Sequence, residues 1–420
     1  MNAFLEPQAP SISDSDPLAI SNSDPLAPSS SSQLAEGSQP SGKIDLLNFD
    51  RQELAEELQA RLGFESYRSK QLVAWLYRHR ATSFEVMTNI SKQARAALAE
   101  HFTISRPTAV QVQQSRDGTR KYLFQLDDGN MVESVLIKQT ARYTLCVSSQ
   151  VGCAIGCRFC RTAQMGLVRH LKTAEIIGQV LAVKDDIAGL PLDQDGLKVD
   201  FTNIVFMGMG EPLHNVDNVI RTVRLLNDEL GLDFSSRKIT VSTSGLVPAI
   251  RKLGASGAGA NLAVSLNATT NEVRTRIMPI TKRWPLESLL EALREYPLKR
   301  GKRITIEYVM LAGVTDTVDD LRRLPQLLTG IPVKVNLIPY NANAGLGFDA
   351  PRRDWVFHWQ ESLLDAGLNS TIRWSKGDDI DAACGQLATV YEKTKRREKA
   401  ERQQPQGGIG TPERTIAEAS

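Results

Sequence analysis

The sequence predicts an α/β protein, a partial (β/α)6 barrel preceded by a small N-terminal helical domain. Three observations lead there. From about residue 143 onward, short apolar runs of strand length alternate with longer stretches of helical period, and repeated strand–helix units fold as a parallel sheet with right-handed crossovers. Polar residues and glycines gather where those strands end, the place where barrels build their sites. Residues 46–105 carry helical periodicity without strand signals. A chain of 420 residues, 41% hydrophobic and 23% charged, has the length and apolar content for a barrel plus an accessory domain.

Residues 1–45 are dominated by Ser, Pro, Asp and Ala, and Ser-Asp-Pro-Leu-Ala occurs at 15–19 and again at 23–27. Such a segment buries too little apolar surface to offset its ordering entropy, so a disordered tail is expected. In 46–118, Leu54, Leu58 and Leu62 recur at i+4, Leu72, Trp75 and Leu76 form a second stripe, and Ser91 is placed to cap a helix containing Ala94, Ala97 and Leu98. Arg68, Lys70, Arg78, His79 and Arg80 give this helical domain a basic face, suited either to gripping RNA or simply to solvation.

Residues 119–138 read as a β-hairpin turning at Asp127-Asp128-Gly129-Asn130, with Glu133 set inside an apolar second strand, a costly position for a carboxylate without a partner or a function. The barrel is expected over 139–377. A strand at Tyr143–Ser149 holds Cys146. Then come helix 173–187, strand Asn203–Met207, helix 215–229, strand Lys238–Ser242, helix 247–253 and strand Asn261–Leu266. Helix 286–298, strand Arg303–Met310, helix 317–328, strand Lys334–Ile338, helix 352–366 and strand Ser370–Trp374 complete it. Residues 378–398 form a C-terminal segment carrying Cys384, and a polar tail is expected over 399–420 after the basic run Lys393–Arg402.

The strand ends carry the candidate site. Asn203–Met207 runs into Met-Gly-Met-Gly210-Glu211-Pro, where glycines admit close backbone approach and Glu211 can accept from an ammonium. Ser242, Ser265-Leu266-Asn267 and Asn341 close three further strands. Polar groups converging on one mouth suit a ligand with amino-acid, ribose and adenine parts.

Cys153, Cys157 and Cys160 fall within eight residues and have no fourth cysteine just beyond. A structural zinc wants four closed ligands, and Cys146 or His170 is available as the fourth. An iron–sulfur cube held by three thiolates instead keeps one iron open to substrate. The x3-then-x2 spacing resembles the radical S-adenosylmethionine (SAM) motif. Five cysteines are too few for a disulfide scaffold, and three clustered ones suit a reducing compartment. The N-terminus lacks the basic and apolar regions of a secretory signal, its acids and lack of Arg argue against a transit peptide, and no apolar run approaches a membrane span, so a cytoplasmic protein that does not meet a membrane is expected. Net charge is +2, but residues 1–45 hold six acids against one base, which leaves the folded body 49 bases against 42 acids. That moderate basic excess suits nucleic acid and equally suits an ordinary solvated surface.

The three-cysteine loop, Met-Gly-Met-Gly-Glu-Pro and Gly377-Asp-Asp-Ile-Asp-Ala-Ala-Cys384-Gly385-Gln386-Leu together resemble the RlmN family over about residues 46–395. The resemblance implies a radical SAM barrel that methylates adenine C-2 in 23S rRNA, at the peptidyl-transferase centre, and in tRNA, next to the anticodon. It implies a [4Fe-4S] cluster on Cys153, Cys157 and Cys160, and SAM held by Gly210, Glu211, Ser242, Ser265, Leu266, Asn267 and Asn341. Cys384 falls on the cysteine that is first methylated, Cys146 on its partner, and Glu133 on the proton acceptor. C-2 of adenine is electron-poor and resists direct SN2 transfer. A thiolate can take the methyl from one SAM, a second SAM yields the radical that activates it, and the linked base is released as a Cys146–Cys384 disulfide. The resemblance further implies a monomer served by a low-potential donor such as flavodoxin or ferredoxin and by a thiol reductant, acting on a base that has left its stack. Asn267 stands where that family usually has His, Lys376 where Arg is common, and the 341–353 loop departs from the usual Gly/Pro-rich form. The sister adenine-C8 methyltransferase and a non-catalytic iron–sulfur RNA-binding redox sensor are the alternatives.

Overall fold

The computed structural model describes residues 42–341 and 346–387. The expected tails, apart from residues 42–45, and the basic run Lys393–Arg402 lie outside the described residues, as do residues 342–345 of the 341–353 loop.

Ten strands form the main sheet: β1 Thr108–Gln114, β2 Arg120–Gln125, β3 Met131–Gln139, β4 Arg142–Cys146, β5 Phe201–Phe206, β6 Ile239–Thr243, β7 Asn261–Ser265, β8 Ile304–Met310, β9 Val333–Pro339 and β10 Ser370–Ile372. Sheet order is chain order, each strand pairing with the one before and the one after it. β1 to β4 pair antiparallel and β4 to β10 run parallel. Helices Thr173–Ile187, Val216–Asn227, Val247–Ala255, Leu286–Glu295, Val318–Leu327 and Arg353–Asp365 make the six crossovers between the parallel strands. Each lies within a few residues of its expected place, because apolar runs bounded by polar turns define both ends of a βα unit.

Three features differ from expectation. The antiparallel extension begins at 108, inside the expected linker. β1 is exposed along nearly all its length, so its polar alternation gives no burial signal. A second small sheet, Gln150–Gly152 paired antiparallel with Leu167–His170, closes the base of the cysteine loop. The expected tail also ends before residue 45. Ile44–Asp45 pairs parallel with Phe102–Thr103, and the buried Asp45 accepts from Leu47 N at 2.9 Å.

The N-terminal helices begin with a capping box. Asp50 accepts from Gln52 N and Glu53 N, Glu53 accepts from Asp50 N, and helix Arg51–Leu62 stops at Gly63 in the left-handed conformation. Both caps are also fasteners to the barrel: Glu53 pairs with Arg221 at 2.7 Å and Asp50 with Arg224 at 3.1 Å. Arg78 donates to the Glu229 carbonyl and Arg80 pairs with Asp185, so two of the five cations of the expected basic face are spent on holding the domain to the barrel. Of the other three, Lys70 is exposed, Arg68 donates to Gln71 Oε1 at 2.9 Å and His79 packs on the Trp75 ring.

Candidate active site

The cysteine loop is shaped by its glycines. Gly152 has φ +75°, and a Cβ there would sit 1.8 Å from the Gly166 carbonyl oxygen, so only glycine lets the strand enter the loop at this distance. Cys153 N donates to that same oxygen at 2.9 Å, Cys160 N to Cys157 O at 3.2 Å, and Arg158 N to Ile277 O at 3.0 Å. Burial pushes all three thiols above their ordinary range, and they raise one another. Among the described residues no three His, Cys, Asp or Glu side chains converge as ligands of a single ion. A cube takes one thiolate on each of three irons, so it fits a wider set of donors that a mononuclear zinc does not. Neither candidate fourth zinc ligand lines the cavity with the three cysteines: His170 Nδ1 bonds Gln150 Nε2 at 2.9 Å, and Cys146 lies on β4 in the field of Cys384 and Arg373.

Beneath this loop lies Arg274, fully buried. Its guanidinium donates to Leu266 O (2.9 Å), Thr281 Oγ1 (2.8 Å), Ser244 O (2.6 Å) and Ser265 O (3.1 Å), and so ties two strand ends to the turn at Pro279–Lys282. Burial lowers it to about 10, opposed by the neighbouring Cys157 charge. A buried cation beside three crowded thiols favours their ionised, metal-binding form.

The strand ends meet in one cavity lined by Cys153, Cys157, Cys160, Gly210, Glu211, Ser242, Ser265, Asn267, Asn341 and Cys384. Glu211 is buried, which raises its carboxyl, and its two oxygens accept from Leu213 N (2.9 Å) and Ser244 N (2.7 Å). The Ser244 and Thr243 side chains lie against the same carboxylate and lower its carboxyl in opposition to burial. Asn267 has φ +58°, a region Asn tolerates better than most residues, and its Oδ1 accepts from Val309 N at 2.9 Å, which explains locally why Asn suits this position. Asn341 Nδ2 donates to Asp378 Oδ1 at 2.7 Å, so it holds the C-terminal segment as well as facing the cavity. Leu266, Cys146 and Glu133 do not line the cavity. Leu266 is buried and contributes its carbonyl to Arg274.

Cys146 and Glu133 belong to a layer behind it. Val135 faces Cys146 across the β3–β4 ladder, so Glu133, two residues along β3, shares a sheet face with Cys146. Glu133 is buried with Lys121 Nζ 3.7 Å away, and the same ammonium donates to Asp381 O at 3.4 Å, reaching the segment that carries Cys384.

That segment is fastened along its length. Ser115 Oγ donates to Asp379 Oδ1 (2.6 Å), Arg116 N to Asp379 Oδ2 (3.1 Å), and Gly377 N to Asp117 Oδ2 (3.0 Å), all from the β1–β2 turn. On the far side of Cys384, Arg161 N donates to Gly385 O (2.8 Å) and Thr162 Oγ1 to Leu387 O (2.6 Å). The two aspartates of Gly-Asp-Asp are thus anchors, and Cys384 stays exposed between them and the cysteine loop.

Two residues absent from the sequence reading complete the cavity. Glu307 of β8 is 5% exposed, accepts from Ser242 Oγ at 3.1 Å and pairs with Arg373 at 3.4 Å. Arg373, which also lies 3.4 Å from Met207 Sδ, is held protonated chiefly by the charge of Cys384, then by Glu307 and Cys146. Burial pushes the Cys146 thiol up to about 12, the Cys384 charge adds to this, and Arg373 opposes it. One cation therefore faces both cysteines. A carboxylate inside an apolar strand, the signal that singled out Glu133, is equally present at Glu307.

A parallel barrel with three clustered cysteines beside a polar, glycine-edged mouth defines a radical SAM enzyme, whose cofactors are a [4Fe-4S] cluster and SAM. Residues 147–324 match the radical SAM superfamily, and residues 44–104 match the ribosomal RNA large subunit methyltransferase N-terminal domain. A dual-specificity RNA methyltransferase RlmN of Geotalea uraniireducens is 52% identical over 351 residues, 84% of this chain and 98% of that protein. One from Geobacter sulfurreducens is 52% identical over 325 residues, covering 77% of this chain and 87% of its own. The crystal structure of a radical SAM methyltransferase from Sphaerobacter thermophilus superposes with a TM-score of 0.74 at 41% identity, covering 82% of this chain and 99% of that one. The chain belongs to the RlmN family of radical SAM RNA methyltransferases.

Proposed function

We propose that this protein methylates C-2 of an adenine in 23S rRNA and of the adenine next to the anticodon in a subset of tRNAs, by way of an S-methyl group on Cys384. The observation that carries this reading is that Cys384 and the three clustered cysteines line one cavity, with Cys146 behind it and Arg373 facing both Cys384 and Cys146. When bound, the cluster and SAM supply a carbon-centred radical in that cavity. Cys153, Cys157 and Cys160 hold the cluster. Gly210, Glu211, Ser242, Ser265, Leu266, Asn267 and Asn341 surround SAM, with Glu211 accepting from its ammonium.

The Cys384 sulfur takes a methyl group from one SAM as a nucleophile, with Arg373 as its counter-ion. The radical would take a hydrogen atom from that S-methyl group, the carbon would then bond to C-2, and the adduct would return one electron to the cluster as the C-2 proton leaves, with Cys384 bridged to the base. The C-2 proton goes to Glu133, which lies behind the cavity with Lys121 Nζ 3.7 Å away. Cys146 attacks the Cys384 sulfur, releasing the methylated base and leaving a disulfide that an external thiol reduces. Burial is the main cause that raises the Cys146 thiol, and Arg373 opposes it. The electron is supplied by a low-potential donor such as flavodoxin or ferredoxin, and the enzyme works as a cytoplasmic monomer. Mass spectrometry of adenines in rRNA and tRNA after reaction with SAM and a reductant tests the reading. 2-Methyladenine is the expected product, and 8-methyladenine or unmodified RNA overturns it.

A further inference from the structure

The last parallel strand ends in Arg373-Trp374-Ser375, and Arg373 and Ser375 line the cavity. Alternate residues of an extended chain face opposite ways, and Trp374 between them is 39% exposed. Helix Arg353–Asp365 begins on the same side, because it follows β9 and starts where the parallel strands end. Val356, Trp359 and Leu363 fix this helix in the core, whereas Phe357 is 42% exposed. The Phe357 and Trp374 ring centroids are 5.9 Å apart. The Arg353 guanidinium lies 4.8 Å from the Trp374 centroid and 5.9 Å from that of Phe357. Arg352 pairs with Asp354, but among the described residues Arg353 has no acidic partner. Two exposed aromatic rings, with Arg353 beside them and no acidic partner for it among the described residues, thus lie on the outer side of the strand end whose neighbouring residues line the cavity.

We propose that Arg353, Phe357 and Trp374 form a platform on which an unpaired base of the RNA stacks, next to the base that enters the cavity. This rests on RNA being the substrate. The chemistry favours a nucleotide: a ring face stacks any base, a guanidinium beside it meets the adjoining phosphate, and recognition of unpaired RNA relies on such pairings. Nothing in the packing of the helix requires these rings, since its buried face is already filled by the three residues above. The position adds a contact just outside the reacting site and thereby fixes which base enters.

The test uses cluster-loaded protein and an unmodified tRNA transcript. Trp374→Ala and Phe357→Ala should weaken binding about 5- to 100-fold, the range that losing one base–aromatic stack produces, while RNA-free reductive SAM cleavage and melting temperature stay near wild type. Trp374→Phe should recover most of the affinity. Arg353→Gln should flatten the dependence of log affinity on log salt by about 0.7, as for one lost phosphate contact on a single strand. Binding should quench tryptophan emission in the wild type and much less in Trp374→Phe. That comparison stands even if an alanine variant fails to fold. Unchanged affinity in the alanine variants, or undiminished quenching in Trp374→Phe, overturns the platform. Normal RNA binding with slower reduction by flavodoxin assigns the patch to a protein partner and overturns it too. If the wild type itself does not bind the transcript, it is the RNA reading that fails, a result distinct from any of these.

Discussion

Gly210→Ala should damage the SAM pocket far more than one methyl group suggests. Gly210 sits at φ +97°, where an L-residue loses about 1–2 kcal/mol relative to glycine. Its new Cβ would lie 2.4, 2.7 and 2.8 Å from Cβ, Cγ and Oε1 of Gln150. Gln150 cannot simply swing away: it is buried, its Oε1 accepts from Glu211 N at 2.7 Å, and its Nε2 bonds His170. Breaking the Glu211 amide bond leaves a buried donor unpaired at about 1–3 kcal/mol, so the total is about 2–5 kcal/mol. Some of this lowers the melting temperature, by about 2 °C per kcal/mol in a chain of this size. The rest appears when Glu211 is asked to meet the ligand ammonium, and a share of about 1.4–2.8 kcal/mol weakens SAM 10- to 100-fold. Titration calorimetry with SAM on cluster-loaded protein, beside scanning calorimetry, measures both. Gly129→Ala is the control, since Gly129 also has positive φ (+78°) but a Cβ there meets nothing within 4 Å. If Gly210→Ala matches Gly129→Ala in stability and binds SAM within twofold of wild type, close packing at Gly210 does not set the pocket.

Cys157→Ala should abolish the cube-type absorbance that anaerobic reconstitution with iron and sulfide gives the wild type, and a tight tetrahedral zinc site in the wild type would contradict the three-thiolate cluster. Cys146→Ala should accumulate a protein–RNA crosslink that maps to Cys384 and one adenine, and adding Cys384→Ala should remove it; ordinary multiple turnover by Cys146→Ala would return Cys146 to a packing role. Because the Cys146 thiol is raised to about 12, its ionised fraction grows tenfold per pH unit below that value, so adduct release measured by single-turnover quench should quicken between pH 7 and 9. Arg373→Met removes the cation that opposes this rise and should slow release roughly 10-fold at neutral pH, with Arg373→Lys in between; equal rates would leave Arg373 a structural partner of Glu307. Asp379→Ala removes both bonds to the β1–β2 turn and should reduce S-methylation of Cys384, read by peptide mass spectrometry, without altering SAM affinity.

The parallel strands were legible because short β-branched and aromatic runs such as Phe201–Phe206 and Val333–Pro339 are bounded by polar turns, and the six crossover helices follow from the stripes between them. β1 was not, because Thr108–Gln114 is exposed and its pattern is that of a polar loop. The cysteine loop, Glu211 and the Gly-Asp-Asp run stand out as local patterns of chemistry-bearing residues. Glu307 and Arg373 do not, since each is a single charge within a strand and becomes meaningful only beside the other, 66 positions away. At the basic face of 68–80 the same limit applies: sequence shows that Arg78 and Arg80 are cations, but not that the Glu229 carbonyl and Asp185 are there to meet them. Those contacts, with the Glu53–Arg221 and Asp50–Arg224 pairs, also mean that removing residues 1–105 would strip the barrel of its fasteners, so point changes at Arg68 and Lys70 are the cleaner probe of RNA gripping.

The anchoring of the Cys384 segment has a consequence for biosynthesis. Asp379 bonds Ser115 across 264 positions of sequence. Contacts of such separation are the last a growing chain can make, and domains assemble as their residues leave the ribosome. On the proposed mechanism, a nascent chain halted before residue 377 already holds Cys153, Cys157, Cys160 and the strand-end residues from Gly210 to Asn341, but lacks Cys384. The proposed acceptor is therefore in place only once synthesis has passed Leu387, and on that mechanism a molecule clipped before Cys384 would be silent in methylation while still able to compete for cofactor.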